Sequence, residues 1–303
     1  MTITYKLKNY NNNEIYIKRE DLLPFSFGGN KARKAEKFFE EIIKGEYNYI
    51  VTYGSSSSNH CRIIANKAIA LNIPCIIISP NNNENKYNKQ LVKLFEGKIV
   101  NCEISEVKET IEYEMEEARR LGYKPYFIEG GGHGDLGTEA YVEAYNEILQ
   151  YENNNNIEFD YIFHASGTGT TQAGLICGNI INRKNKDIIG ISIARKKEQG
   201  SNVILESVNS YLKKIDQQVI DKEEIHFIDD YISDGYGKYN FEIIETIKYI
   251  MKKYGIPRDS TYVGKAFWGI QEYIDKENIK NKNILFIHTG GSPLFFDDLK
   301  IQN

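Results

Sequence analysis

A lysine lies on the apolar face of a predicted helix near the start of the chain. Segment 25–45 has apolar residues at helical spacing, at Ala35, Phe38, Phe39 and Ile42. One turn earlier this stripe reaches Lys31, whereas Lys34 is predicted to point elsewhere. A lysine amine held away from water has a lowered pKa and becomes a usable nucleophile. The alternative is that Lys31 extends its amine to water from the first turn, although Gly28 and Gly29 favour close approach of a ligand.

The stretch SGTGTTQAG, residues 166–174, follows an apolar run and precedes a helical pattern. Glycines, threonine hydroxyls and a helix N-terminus together form a cradle for a phosphate. The stretch is neither a P-loop, because no Lys-Ser/Thr pair follows, nor a dinucleotide fingerprint, because Gln172 stands where the third glycine belongs. The pattern predicts a phosphate on a molecule smaller than NAD or ATP. The alternative is a plain glycine-rich turn.

Two further loops follow predicted strands. GSSSSNHCR, residues 54–62, offers Ser58 or Asn59 as a helix N-cap, and such a helix N-terminus can bind a carboxylate. TGGSP, residues 289–293, places the Thr289 hydroxyl before two glycines. The alternatives are a serine-rich capping loop and a type II turn before proline.

Two tyrosines complete the candidate set. Tyr236 stands between glycines in SDGYGKYN, and Tyr262 stands before a predicted helix in RDSTYVGKAFWG. The chain has 22 tyrosines, so each of the two could equally be an ordinary core or surface residue. Taken together, a desolvated lysine, a lone phosphate cradle and a hydroxyl at a strand end suggest pyridoxal 5′-phosphate. Its aldehyde condenses with a lysine amine, its phosphate needs a cradle, and its ring nitrogen needs a partner.

The motifs resemble those of the aminocyclopropane-carboxylate deaminase and D-cysteine desulfhydrase family, which are fold type II pyridoxal phosphate enzymes related to tryptophan synthase β. The resemblance runs in order from about Lys18 to Phe296, through the stretches KREDLLPFSFGGNKARKAE, SSSSNHCR, IEGGGHGDLGTEAYVEA, SGTGTTQAG, GYG, DSTYVGKA and HTGGSPLF. It is specific in the combination of GGNKARK and HTGG. It implies an enzyme of amino-acid metabolism.

The resemblance also implies roles for individual residues. Lys31 matches the lysine that holds the cofactor and moves the α-proton. The matches to the phosphate loop are Gly167, Thr168, Gly169, Thr170 and Thr171.

The remaining matches concern the substrate and the cofactor ring. Ser58, Asn59 and His60 match the loop that binds the substrate carboxylate, and Asn59 also reaches the ring hydroxyl of the cofactor. Tyr236 and Tyr262 match the two tyrosines that flank the substrate, and with Lys31 and Ser58 they form the predicted catalytic set. Thr289 matches the hydroxyl near the pyridine nitrogen.

Departures from the family pattern bear on the substrate. Ring-opening deaminases carry an acidic residue directly after the tyrosine that Tyr262 matches, and this chain has Val263. Without that acid Thr289 is a neutral partner for the ring nitrogen, which weakens the electron sink and favours elimination of a good leaving group. SNH in place of the deaminases' SNQ indicates the same. His133 and Ser260 replace a serine and a proline of relatives and are unexplained by the sequence.

Elements that position these residues alternate along the chain. Strands are predicted at 49–53, 75–79, 98–102, 126–128, 161–165, 188–193, 226–228 and 284–288. Helices are predicted at about 59–71, 84–96, 105–121, 136–150, 171–183, 200–214, 240–254 and 264–275. This alternation predicts an α/β protein with mostly parallel sheets covered by helices. With the family resemblance it predicts two three-layer domains: a large cofactor-binding domain of residues 1–40 and 150–303, and a small domain of residues 41–149. The asparagine-rich tracts, including the one beginning at Asn81, are predicted to be loops.

Composition excludes several other classes of protein. The 303 residues carry a formal net charge of −4 with a pI near 5.9, which gives no signal for nucleic acid or anionic membrane. No apolar run is long enough to span a membrane, and the N-terminus lacks a signal-peptide pattern. Four scattered cysteines are expected to be reduced core residues, and the five histidines suggest no metal site.

The sequence therefore predicts a cytoplasmic, homodimeric pyridoxal phosphate lyase that removes the β-substituent of a small amino acid. The preferred substrate is D-cysteine or a relative, with pyruvate, ammonia and sulfide as products. A β-replacement synthase and an aminocyclopropane-carboxylate deaminase are alternatives with the same cofactor. A ligand-binding protein that keeps the fold is the alternative without catalysis. Formation of pyruvate without an added nucleophile distinguishes the lyase from the synthase.

Overall fold

A computed structural model describes residues 1–81 and 86–301. The predicted loop at 82–85 and the predicted helix start at 84 lie outside these described residues. The chain divides into two compact units. Unit 1 comprises Met1–Asn30 and Thr138–Asn303, and unit 2 comprises Lys31–Gly137.

Unit 1 is built on a six-stranded sheet. Its strands are β1 Thr4–Lys6, β2 Glu14–Arg19, β7 Tyr161–Ser166, β8 Asp187–Ser192, β9 His226–Ile228 and β10 Asn283–His288. They lie in the order β1-β2-β10-β7-β8-β9, with β1 antiparallel to β2 and the other neighbours parallel. Helix α5, Asp135–Asn155, begins in unit 2 and lies mostly in unit 1. The other helices of unit 1 are α6 Thr170–Ile181, α7 Lys197–Lys214, α8 Phe241–Tyr254, α9 Val263–Lys276 and α10 Ser292–Ile301.

Unit 2 is built on a four-stranded parallel sheet in the order β5-β4-β3-β6. Its strands are β3 Tyr49–Tyr53, β4 Cys75–Pro80, β5 Lys98–Cys102 and β6 Pro125–Ile128. Its helices are α1 Asn30–Lys44, α2 Asn59–Ala70, α3 Tyr87–Leu94 and α4 Val107–Arg120. The predicted α/β fold class with mostly parallel sheets is confirmed.

Three elements were not predicted from the sequence: β1, β2 and α10. Strand β2 carries Lys18 and Arg19, whose charges hide its strand pattern, yet both side chains are buried. Lys18 is only 1% exposed because its amine lies 2.6 Å from a carboxylate oxygen of Glu147. Pro293 stands in the first turn of α10, where proline is well tolerated, so the predicted turn continues as a helix.

The two units divide at Asn30 and Gly137, whereas the sequence placed the domain boundaries at 40/41 and 149/150. The apolar core of unit 1 explains why the second boundary lies at Gly137 and not at 149/150. From Tyr141 onward, helix α5 contributes Tyr141, Tyr145 and Ile148 to the core around Ile162 of β7. The buried tyrosines of α5 thus tie most of this helix to unit 1.

Within the described residues, no helix is long and apolar enough to cross a membrane. The same part of the chain contains no cluster of three or more histidine, cysteine or acidic side chains suited to a metal ion. Its four cysteines are buried and free.

Candidate active site

Lys31 is the second residue of α1, and its amine is held by backbone rather than by an acid. The Lys31 Nζ donates a 2.8 Å hydrogen bond to the carbonyl oxygen of Gly131. Burial lowers the pKa of Lys31 to about 8. About one tenth of such amines are neutral at pH 7 and half at pH 8. Lys31 is therefore a competent nucleophile near neutral pH.

Lys34, one turn later on α1, is also buried, and the prediction that it points away from the interior was wrong. Its side chain is 1% exposed and packs against the glycines of the loop before α5. A Cβ at Gly132 would lie 3.4 Å from Lys34 Cβ. Burial, together with the nearby Lys31 amine, holds the pKa of Lys34 well below its usual value. The spacing of three residues from Lys31 was the signal that could have revealed it.

The N-terminus of α2 is capped by Ser58, which settles the choice between Ser58 and Asn59. The Ser58 Oγ accepts a 3.0 Å hydrogen bond from the Cys61 backbone N–H. The first turn of α2 leaves backbone N–H groups without carbonyl partners in the helix, as every helix start does. This end of the helix is consequently suited to a carboxylate.

His60, in that first turn, has a hydrogen-bond acceptor at its Nδ1 atom. Its Nε2 lies 2.9 Å from Thr52 Oγ1, and the single hydroxyl hydrogen of Thr52 goes to the Ile128 carbonyl oxygen at 2.7 Å. The hydrogen-bond network therefore assigns the ring hydrogen to Nε2. Burial, then the Lys31 and Lys34 amines, keep the pKa of His60 well below its usual value. Because the ring is neutral, Nδ1 can only accept a hydrogen bond.

The predicted phosphate cradle lies in unit 1, between the end of β7 and the start of α6. Gly169, with φ of +96°, is the N-cap of α6, a backbone conformation that favours glycine. The buried Thr170 Oγ1 has no hydrogen-bond partner among the described residues. An orphaned hydroxyl beside a helix N-terminus fits an anion of phosphate size. The five residues predicted to bind the phosphate lie in this loop and the first turn of α6, and their role stays a prediction: Gly167, Thr168, Gly169, Thr170 and Thr171.

Asn30 connects the phosphate cradle to the TGG loop, and sequence reasoning missed it. Its side-chain Nδ2 donates to Thr171 Oγ1 at 3.1 Å, and its backbone N–H donates to the Thr289 carbonyl oxygen at 2.9 Å. Gly29 permits this approach, since a Cβ there would lie 2.8 Å from that same oxygen. The next residue in the chain is Lys31, so the lysine directly follows a residue fixed to both loops.

The two candidate tyrosines meet in unit 1. The Tyr236 and Tyr262 hydroxyls are 2.6 Å apart, and their rings pack edge to face at 5.9 Å. Tyr236 remains half exposed. The structure thus brings together two tyrosines that the sequence alone could have assigned to core or surface.

Asp259 and Lys265 hold the two loops that carry these tyrosines. The buried Asp259 Oδ1 accepts hydrogen bonds from the backbone N–H of Thr261 at 3.0 Å and of Tyr262 at 2.7 Å. Burial raises the pKa of Asp259 to about 7. The fully buried Lys265 Nζ donates to the Gly235 carbonyl oxygen at 2.9 Å, directly before Tyr236. Sequence reasoning missed both residues, although both lie beside Tyr262 in RDSTYVGKAFWG.

Three residues that depart from the family pattern have defined positions in the structure. Val263 is fully buried in the apolar core of unit 1, so position 263 adds no charge near Tyr262. Ser260 donates twice to Asp298, from its backbone N–H at 2.7 Å and from its hydroxyl at 3.0 Å. A proline could make neither bond. His133 is half-buried in the turn before α5.

Comparison with known proteins identifies a family. The family model for pyridoxal-phosphate dependent enzymes matches residues 2–290. The crystal structure of an ACC deaminase homologue aligns with a TM-score of 0.88 and 29% identity, covering 99% of this chain and 93% of that one.

Two more distant structures share the fold. A hydrogen sulfide-producing enzyme aligns with a TM-score of 0.69 and 18% identity, covering 95% of this chain and 85% of that one. O-acetyl serine sulfhydrylase isoform 3 from Entamoeba histolytica aligns with a TM-score of 0.66 and 18% identity, again covering 95% and 85%.

Proposed function

The chain belongs to the pyridoxal-phosphate dependent enzyme family, and we propose that it is a lyase that eliminates the β-substituent of a small amino acid. D-Cysteine or a close relative is the proposed substrate, with pyruvate, ammonia and sulfide as products. The observation that carries the choice of elimination is the uncharged, fully buried Val263 directly after Tyr262.

Pyridoxal 5′-phosphate supplies an electron sink and a covalent link to the substrate amine. The residues fit this group at two points: Lys31 offers an amine with a pKa of about 8, and Thr170 offers a buried hydroxyl that lacks a partner among the described residues. We propose that Lys31 would hold the aldehyde end of the cofactor and would move the α-proton of the substrate. The cradle from Gly167 to Thr171 would hold the phosphate, and Thr289 would be the neutral partner of the ring nitrogen.

The substrate is proposed to bind through its carboxylate at the N-terminus of α2. Ser58 caps that helix, so the carboxylate meets the backbone N–H groups that the cap leaves free. His60, a hydrogen-bond acceptor at Nδ1, is unsuited to the carboxylate and suited to a donor such as a thiol or hydroxyl. Tyr236 and Tyr262, paired at 2.6 Å, flank the reacting carbons. Donor-bearing β-groups of this kind occur in cysteine and serine and are missing from aminocyclopropane carboxylate.

Elimination requires less stabilisation of the carbanion by the site than ring opening does. A thiolate leaves once the α-proton is gone, whereas opening a cyclopropane ring requires breaking a carbon–carbon bond without a good leaving group. A carboxylate at the ring nitrogen would deepen the electron sink, and the Thr289 hydroxyl is neutral. A thousandfold rate difference corresponds to only about 4 kcal/mol, which one ion pair in a dry site can supply.

Two other activities stay open on the same cofactor. In a β-replacement synthase, a second nucleophile adds at Cβ in place of the departing group. The similarity to an ACC deaminase homologue at 29% identity keeps ring opening as the other alternative. The predicted homodimer and the cytoplasmic location stay predictions, and light scattering measures the first.

A substrate panel tests the proposal. Purified enzyme is loaded with pyridoxal phosphate and given D- and L-cysteine, D- and L-serine, chloroalanine or aminocyclopropane carboxylate, without any added nucleophile. Pyruvate and sulfide from a cysteine support the lyase. A β-replacement product formed with an added nucleophile, without any pyruvate when that nucleophile is withheld, would identify a synthase. 2-Oxobutyrate as the sole product would identify a deaminase.

Lys31→Ala provides the control for the panel. This variant should lose both turnover and the visible absorbance of the covalently bound cofactor, while its far-ultraviolet circular dichroism stays that of the wild type. Turnover retained in Lys31→Ala would contradict the assignment of Lys31.

A further inference from the structure

A buried arginine in unit 2 lies next to Asn59 in the first turn of α2. The Arg62 side chain is fully buried, and its Nη1 donates to Asn59 Oδ1 at 2.9 Å and to Asn88 Oδ1 at 2.9 Å. Asn88, on α3, in turn donates from Nδ2 to Asn59 Oδ1 at 3.0 Å and to the Ser57 carbonyl oxygen at 2.9 Å. Three side chains thus form one closed network around the oxygen of Asn59.

This network determines which way the Asn59 amide points. Amide oxygen and nitrogen atoms are ordinarily assigned from their partners. Arginine only donates hydrogen bonds, so the atoms facing Arg62 in both asparagines must be the oxygens. The Ser57 carbonyl only accepts, which independently gives Asn88 the same orientation. Asn59 Oδ1 therefore receives two donors, and its Nδ2 faces the other way.

We propose that Arg62 is a positioning residue that presents the Asn59 Nδ2 as a donor to the ring oxygen of pyridoxal phosphate. The inference rests on the proposed function and on the contact with the cofactor's ring hydroxyl that the family resemblance implies for Asn59. Among the described residues, Asn59 Nδ2 has no hydrogen-bond partner, so the donor is available to a ligand. A cation bound to the amide oxygen also polarises the amide and strengthens its N–H groups as donors. Asn88 closes the network and keeps Arg62 from rotating away.

The experiment compares three variants with the wild type: Asn59→Ala, Arg62→Met and the double variant. Each apoenzyme is titrated with pyridoxal phosphate, and the near-ultraviolet and visible absorbance spectrum of the bound cofactor is recorded. Asn59→Ala should weaken cofactor affinity about tenfold, the effect of one lost hydrogen bond, and alter the spectrum because the ring oxygen loses its donor. Arg62→Met should reproduce both changes, and the double variant should add nothing further.

Two additional variants test whether the loss of any cation from α2, or misfolding of Arg62→Met, could explain the result. Lys67→Met removes a cation from the same helix, where Lys67 pairs with Glu36 at 2.7 Å, and should leave the spectrum unchanged. Asn88→Leu removes one of the two donors to Asn59 and one acceptor of Arg62 while the guanidinium itself is kept, and it tests the network should Arg62→Met fail to fold. Its spectrum should shift in the direction of Asn59→Ala, by a smaller amount.

An Arg62→Met spectrum identical to that of the wild type, or effects of Arg62→Met and Asn59→Ala that add independently, would overturn the proposal. So would an unchanged spectrum in Asn59→Ala. The measurement involves no substrate, so a chain that shows these spectral changes but yields no pyruvate retains the positioning role of Arg62 while losing the proposed lyase function.

Discussion

Replacing Lys265 by methionine should loosen the loop that carries Tyr236. The Lys265 amine is fully buried and donates to three carbonyl oxygens, those of Ile193 at 3.1 Å, Ile232 at 2.9 Å and Gly235 at 2.9 Å. Three donors meeting three acceptors satisfy a protonated amine completely. Methionine fills similar space but leaves all three carbonyls without this donor.

The free energy of unfolding that Lys265→Met should lose is the net of two opposing effects. A buried carbonyl left without a donor costs about 1–3 kcal/mol. The Ile232 and Gly235 carbonyl oxygens would each keep a hydrogen bond from a backbone N–H, those of Gly235 and Lys238. A net destabilisation of about 2 kcal/mol is therefore expected, since relief from burying a charge offsets part of the loss. Because two of the three carbonyls belong to residues 232–235, the loosening should concentrate in the segment that ends at Tyr236.

Amide hydrogen exchange at residues 232–238, read by mass spectrometry, measures this directly, and urea unfolding measures the total loss. The matched control is Lys276→Met on the same helix, α9, where Lys276 is exposed and pairs with Asp230 at 2.8 Å. The control should change stability by no more than about 0.5 kcal/mol. Exchange in Lys265→Met that matches the control, or a stability loss below about 1 kcal/mol, would refute the reasoning.

Three other predictions follow from the site. Gly169→Val should weaken binding of pyridoxal phosphate by at least tenfold in a fluorescence titration, because φ of +96° is strained for valine and its Cβ would lie 3.0 Å from Ile204 Cγ1; unchanged affinity would mean that the cradle is misplaced. The rate at which apoenzyme binds pyridoxal phosphate covalently, followed by stopped-flow absorbance, should rise as pH approaches about 8 and level off above it, because the lowered pKa of Lys31 leaves the amine protonated at lower pH; a rise continuing to pH 10 would contradict that pKa. Wild-type kcat/KM on aminocyclopropane carboxylate should be at least about a thousandfold below that on D-cysteine, and efficient 2-oxobutyrate formation without activity on any cysteine or serine would reverse the argument from Val263.

The local residue pattern predicted those strands whose burial does not depend on distant charged partners. Strands 49–53, 98–102 and 226–228 were predicted with the bounds that the structure has, because each centres on β-branched or aromatic residues between helical patterns. Strand β2 escaped prediction because Lys18 is buried through a partner distant in sequence, Glu147, which no local pattern contains.

The sequence by itself determined the chemical types in the candidate site and the order in which they occur. Three features could be recognised from the sequence alone: Lys31, the glycine-threonine loop at 166–174 and the TGG motif. Glycine, lysine and helix-capping residues act through their own backbone and side chain, so their residue type already indicates their chemistry. Only the tertiary structure decided how these residues are held. Four residues bind groups that lie far away along the chain: Asn30, Arg62, Asn88 and Lys265. A hydrogen bond needs its two atoms within about 3 Å, and that proximity is created by folding and leaves no periodic trace in the sequence.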